Sequence, residues 1–247
     1  MNDHRYMNST VADQAAIDQG LRSYMLGVYN YMTTALALTG LAAYGTKMLT
    51  VSAQVGGSTL LTPLGQALYL SPLKWVVVLA PLAMVFWLSA RIHAMSVSKA
   101  QGVFYTFAAL MGVSLSSLLI VYTGESVARA FFITAAAFAS LSIYGYTTKR
   151  DLGPLGAFLM IGVVGLLLAM IVNMFMGSMG MSLLISVGGV LIFAGLTAYD
   201  TQKIKMMYLA SDSYSEAQKK SIHGALRLYL DFINMFLFLI QLIGNRE

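Results

Sequence analysis

The stretch Leu196-Thr197-Ala198-Tyr199-Asp200-Thr201-Gln202-Lys203-Ile204-Lys205 closes a long apolar segment and sets a carboxylate, Asp200, where a membrane helix would meet water. A carboxylate at that depth is costly unless it is protonated, paired or turned to a polar cavity, so in a membrane protein it marks a functional site. Its companion is Asp231, within Leu226-Arg227-Leu228-Tyr229-Leu230-Asp231-Phe232-Ile233-Asn234, inside the last apolar segment. Two acids on adjacent helices suggest a shared, titratable site.

Working outward, composition fixes the class. Apolar residues make up 58% of the 247 and charged residues 10%, and the mean hydropathy is +0.72; a soluble domain has about 45–50% apolar and about 25% charged residues. The chain is an integral membrane protein with the lipid bilayer as its first partner. A net charge of +5 does not make it a nucleic-acid binder, because the basic residues are scattered through short loops and form no patch or stripe. No cysteine is present, which excludes disulfides and thiolate metal sites. The first 22 residues carry Asp3, Asp13 and Asp18 and no apolar core, so no cleavable signal peptide is expected there.

Charge-free runs, measured against the roughly 20 residues a span needs, give an all-α, polytopic membrane bundle of seven transmembrane helices. The spans are read at about 23–46, 75–90, 100–121, 130–146, 154–176, 181–200 and 225–243, in a single domain 23–247 behind a cytoplasmic tail 1–22 that is mobile or a short surface helix. The charge-free run 48–73 is broken by Gly56-Gly57-Ser58-Thr59, Pro63 and Ser71-Pro72 and reads as an external loop with a short interfacial or re-entrant piece. The 48 uncharged residues from 152 to 199 are too many for one helix, and Gly177-Ser178-Met179-Gly180 divides them.

Seven spans alternate the loops between two sides. Arg5, Arg22, Arg91, Lys99, Lys149, Arg150, Lys203, Lys205, Lys219, Lys220 and Arg227 fall on the side of the amino terminus, against Lys47, Lys74, Arg129 and Arg246 opposite. The positive-inside rule then makes the amino terminus cytoplasmic and puts the carboxy terminus across the membrane. Asp200, Asp231 and Arg91 all sit toward the cytoplasmic end. Arg227, Asp231, Asn234 and Gln241, at spacings of four, three and seven, form one polar stripe on the last helix.

These residues carry a family likeness. Ala198-Tyr199-Asp200-Thr201-Gln202 closing one span, Leu228-Tyr229-Leu230-Asp231-Phe232-Ile233-Asn234 in the next, and Lys149-Arg150-Asp151-Leu152-Gly153-Pro154-Leu155-Gly156 between spans four and five resemble the Bax inhibitor-1 family of membrane proteins over about residues 20–245. The resemblance implies a seven-helix protein with a pH-sensitive calcium leak, in which Asp200 and Asp231 form a proton sensor and ion pathway and Arg91, in span two, latches one of them. Arg227 and Asn234 would support the site. The long loop 47–74 is typical of bacterial members, which points to a bacterial inner membrane.

The chemistry is consistent with that likeness. Two carboxylates brought close in a low-dielectric site do not both ionise cheaply and titrate as a pair. An arginine, always charged, favours ionisation of whichever acid it touches. Ionised carboxylates suit calcium, but a tight calcium site uses about six to eight oxygens. Asp200 and Asp231 therefore fit transient calcium contact in a pathway, with calcium and protons as permeant species and no resident cofactor.

Plainer readings stand beside this one. Asp200 could cap span six and pair with Lys203 or Lys205; Asp231 could pair with Arg227 in its own helix; Arg91 could be an interfacial anchor. His4, His93 and His223 have no metal-ligand spacing, Glu125 reads as a solvated loop acid, the 17 methionines read as core filling, and Asn173 reads as a cross-helix hydrogen bond. A regulatory membrane protein that modulates a membrane protease or a stress response is the alternative function. An intramembrane aspartyl protease is the remote one: Tyr199-Asp200 fits, but Leu228-Tyr229-Leu230-Asp231 lacks the Gly-x-Gly-Asp pattern of such enzymes, so no enzymatic activity is expected.

Overall fold

A computed structural model describes residues 3–55 and 58–245, with side chains from 17–53 and 60–245. The side chains of Asp3, His4, Arg5 and Asp13, and Arg246 altogether, lie outside the described residues. The element order is α1 (Asp3–Thr50), β1 (Val51–Val55), β2 (Ser58–Leu61), α2 (Pro63–Leu70), α3 (Leu73–Arg91) with a 3-10 turn at Ile92–Ala94, α4 (Val97–Leu115), α5 (Leu118–Val121), α6 (Gly124–Thr147), α7 (Gly153–Met176), α8 (Met179–Met206) and α9 (Tyr214–Ile243).

Among the described residues six helical segments are long and apolar enough to cross a membrane: Leu73–Ala94, Val97–Val121, Gly124–Thr147, Gly153–Met176, Met179–Met206 and Tyr214–Ile243. They match expected spans two to seven. The expected first span lies within α1; Asn30, four threonines and several tyrosines within residues 23–46 keep the hydropathy of that stretch below the others. The segment expected as a separate tail is continuous with it from Asp3 onward.

Three boundaries differ from expectation for local reasons. Strands β1 and β2 pair antiparallel, with Val51 opposite Leu61 and Ala53 opposite Leu60, a spacing that inserts one extra residue as a bulge. Span three is interrupted at Ser116 and Ser117; the Ser116 hydroxyl donates to Val113 O at 2.6 Å and meets Tyr69 of α2 at 2.7 Å, so the break is where α2 docks. Helix α9 begins eleven residues before the expected span, because a capping box starts it: Ser213 Oγ accepts from Glu216 N, and Glu216 Oε2 accepts from Ser213 N. That reciprocal pair satisfies two otherwise orphaned donors.

The division of the long apolar run falls as read. Gly177 adopts φ 62°, the left-handed conformation that glycine takes at a helix end without a Cβ penalty. Asn173 braces the turn, accepting from Ser178 N at 3.1 Å and donating to Ser182 on α8 at 2.7 Å.

Helix α9 is the most enclosed of the six and packs against α1, α4, α6 and α8. Its centre is aromatic: Tyr229 stands edge-on to Phe104 and Phe107 of α4, all fully buried. The outer helices turn large apolar side chains outward, among them Phe86, Phe132, Phe158 and Phe175. A core of that kind with an apolar exterior is what a bundle needs when its surroundings are hydrocarbon.

Candidate functional site at the α8–α9 interface

The stretch that opens the sequence reading is the junction of four helices. From α8, Gln202 reaches the α6–α7 turn, accepting from Leu152 N at 2.9 Å and donating to Arg150 O at 2.8 Å. Lys205 donates to Tyr146 O at 2.8 Å and lies over the Tyr146 ring. Tyr199 lies on Gly156 of α7. On α6, Gly145 abuts the Ala198 carbonyl so closely that any Cβ would collide with backbone. The segment that carries Asp200 is thus fixed from three sides.

A hydroxyl chain crosses the same level. Thr201 donates to Thr197 O at 2.7 Å, so Ser142 donates to Thr201 at 2.9 Å, and Tyr29 of α1 donates to Ser142 at 3.1 Å. Each hydroxyl has one hydrogen to give, and the chain uses each once.

Asp200 turns toward α9. Arg227 Nη1 donates to Asp200 Oδ1 at 3.2 Å, and the Asp200 side chain is 13% exposed against 39% for Arg227. Asp231, one turn beyond Arg227 on α9, is buried with 4% of its surface exposed. Its carboxyl interacts electrostatically with Asp200 and with Arg227, and its Oδ2 has no hydrogen-bond partner. A buried polar atom without a partner calls for an explanation. Asn234 donates instead to Leu230 O, along its own helix.

Asp200 and Asp231 both come beside Arg227 at the α8–α9 interface. The expected cation does not join them. Arg91 is exposed at the end of α3, and the ion pair of Asp200 is with Arg227, which had been assigned a supporting part. Lys203 lies over the Tyr199 ring, 5.8 Å from its centre. Arg227 and Asp231 are four residues apart on one helix face, so their adjacency was legible; that this face meets α8 at Asp200 is a tertiary fact with no sequence signal of its own.

Sequence reasoning also missed the histidines as neighbours. The rings of His93 and His223 lie 6.4 Å apart at the base of α9, where Lys219 donates to His93 O at 3.0 Å. Among the described residues no group of three or more His, Cys, Asp or Glu side chains is arranged to hold a metal ion. Glu125, expected in a loop, lies instead in the first turn of α6, exposed and paired with Arg129 one turn on.

Comparison with known proteins gives a consistent outcome. Residues 21–247 match the family model described as inhibitor of apoptosis-promoting Bax1. An uncharacterized protein of Rickettsia prowazekii is 42% identical over 253 residues, covering all of both chains. An uncharacterized protein of Caulobacter vibrioides is 43% identical over 254 residues, again covering all of both. The inner membrane protein YbhL of Escherichia coli is 40% identical over 230 residues, 92% of this chain and 94% of that one.

Proposed function

The chain belongs to the Bax inhibitor-1 family and is a multi-pass integral membrane protein, and from that premise we propose that it is a proton-regulated cation leak, chiefly for calcium, in a bacterial inner membrane. The observation that carries this reading is the buried carboxyl of Asp231 set beside Asp200 and Arg227 at the α8–α9 interface.

In this reading α1 is the remaining span, and its packing against both α4 and α9 supports that. The amino terminus is cytoplasmic, in keeping with the eleven of 15 basic residues on its side. The Arg227–Asp200 ion pair holds α8 against α9 in the resting state. Proton gain or loss at the aspartate pair changes the charge that Arg227 faces, and so changes whether that pair is worth keeping. An aqueous path opened along α8 and α9 would offer calcium the two carboxylates as passing ligands, which suit a hard cation but are too few to trap it. No catalytic step is assigned to either aspartate.

The test is calcium flux into liposomes holding the purified protein, measured across a pH series, for the wild-type chain and for Asp231→Asn.

A further inference from the structure

Helices α1 and α6 flank a groove with α9 as its floor. One half, about 640 Å³, runs from Arg22 and Tyr146 past Tyr29 to Phe131 and Phe232; the other, about 440 Å³, continues from Phe131 and Phe232 to Tyr44 and Lys47. Leu36 lines both halves. Of the hydroxyls that line it, those of Tyr29, Ser142, Thr33 and Thr39 are occupied within the protein, so the surface left to an occupant is mainly apolar, with Tyr146 and Tyr44 toward its ends. Each end carries a cation: Arg22 is exposed and Lys47 half-buried, and neither is in an ion pair among the described residues.

The spacing of those cations matters. Arg22 and Lys47 are 25 residues apart on one helix, about 38 Å at 1.5 Å per residue. The hydrocarbon core of a bilayer is about 30 Å thick, and about 40–45 Å with its headgroups. The two charges therefore stand at headgroup depth on opposite sides, with two adjoining, mainly apolar pockets between them. Phe131, Phe138 and Phe232 stand among small residues such as Gly40, Ala43, Ala135 and Ala139, which a packed helix would also suit, so the spacing of the two cations is what favours lipid, and a second copy of the chain is the competing outcome.

We propose that this groove is a binding site for anionic phospholipid, whose acyl chains lie in the α1–α6 trough and whose phosphates meet Arg22 at one end and Lys47 at the other. The site goes beyond the leak and rests only on the reading of α1 as a membrane span. Basic residues near a membrane surface each favour anionic lipid, and here they select which lipid occupies a groove that any acyl chain fits.

The experiment is native mass spectrometry of the protein released from vesicles of equal parts phosphatidylglycerol and phosphatidylcholine. The wild-type chain is expected to retain phosphatidylglycerol preferentially, by about fivefold for each cation. Ala139→Trp projects a ring from the exposed wall of the half that begins at Arg22 and should lower retention sharply, while Ser140→Trp, on the same helix but outside the groove, should leave it intact. Arg22→Gln with Lys47→Gln should keep bound lipid but lose the preference; these surface changes also carry the test if Ala139→Trp does not insert. Equal retention by the two tryptophan variants, a preference that survives loss of both cations, or a protein dimer that occupies the groove in place of lipid would overturn the proposal. Because lipid retention is read without any flux, its failure is separate from failure of the leak.

Discussion

Arg227 of α9 donates to Asp200 of α8 at 3.2 Å, and this one ion pair bridges the two helices at the level where Asp231 is buried. If it is the resting contact, Arg227→Gln and Asp200→Asn each raise the leak at a pH where Asp200 is ionised. The double variant leaks about as much as either single one. The coupling expected for touching residues is about 1 kcal/mol, roughly fivefold in rate. Arg91→Ala, at an exposed residue, leaves the leak near the wild-type level. Strictly additive effects of the two changes on the logarithm of the flux would argue against a shared contact.

Beneath the site, Thr39 of α1 joins Tyr229 of α9 through a 2.7 Å hydroxyl pair, and Thr39 Oγ1 also lies 2.9 Å from Ala108 O on α4. Thr39→Val strands the buried Tyr229 hydroxyl and should destabilise the bundle by about 1–3 kcal/mol, whereas Tyr229→Phe removes the hydroxyl together with its need and should cost about 0.5–1.5 kcal/mol. Thermal unfolding in detergent should rank Thr39→Val as the less stable of the two. The reverse order would mean that the Tyr229 hydroxyl is not held by Thr39.

Gly145 is where α6 and α8 come nearest, against the Ala198 backbone two residues before Asp200. Gly145→Val must push the helices apart, an overpacking cost of about 1–3 kcal/mol. The expected result is a lower melting temperature together with a leak whose pH profile is disturbed, since the carboxyl of Asp200 moves with its helix. A variant that melts as the wild type does would show that the approach is looser than the structure has it.

Topology is tested by reporters. A cytoplasm-dependent reporter inserted in the turn 207–213 should be active, and the same reporter fused after Glu247 should be silent. Activity at both positions would mean that α9 does not cross.

The legible part of this fold was what charge and glycine write directly. Arg22, Lys47, Arg91, Lys149 and Lys203 bracket the apolar segments, and Gly177 ends α7 with the one positive φ among the described residues. The aspartate pair was legible because an acid within an apolar run has few places to go. The β1–β2 pairing is not legible from charge, because a two-stranded ribbon interrupts a charge-free run without adding a charge; Gly56-Gly57 between two short β-prone runs was the available signal. The start of α9 was missed because Lys219 and Lys220 truncate an apolar ruler but do not end an amphipathic helix. The Ser213–Glu216 spacing was the available signal. The preference of Asp200 for Arg227 over Arg91 could not be read, because it depends on which face of α9 meets α8.

The most direct measurement of the central claim is calcium entry into liposomes, followed by a trapped fluorescent indicator over a pH series, for the wild-type protein beside Asp231→Asn. Asparagine keeps the shape and hydrogen-bonding capacity of the buried aspartate but does not titrate. The account predicts a flux that varies with pH in the wild type and becomes flat in Asp231→Asn, with both proteins inserting and melting alike. A wild-type protein that carries no calcium, or a variant that leaks with an unchanged pH profile, would contradict it.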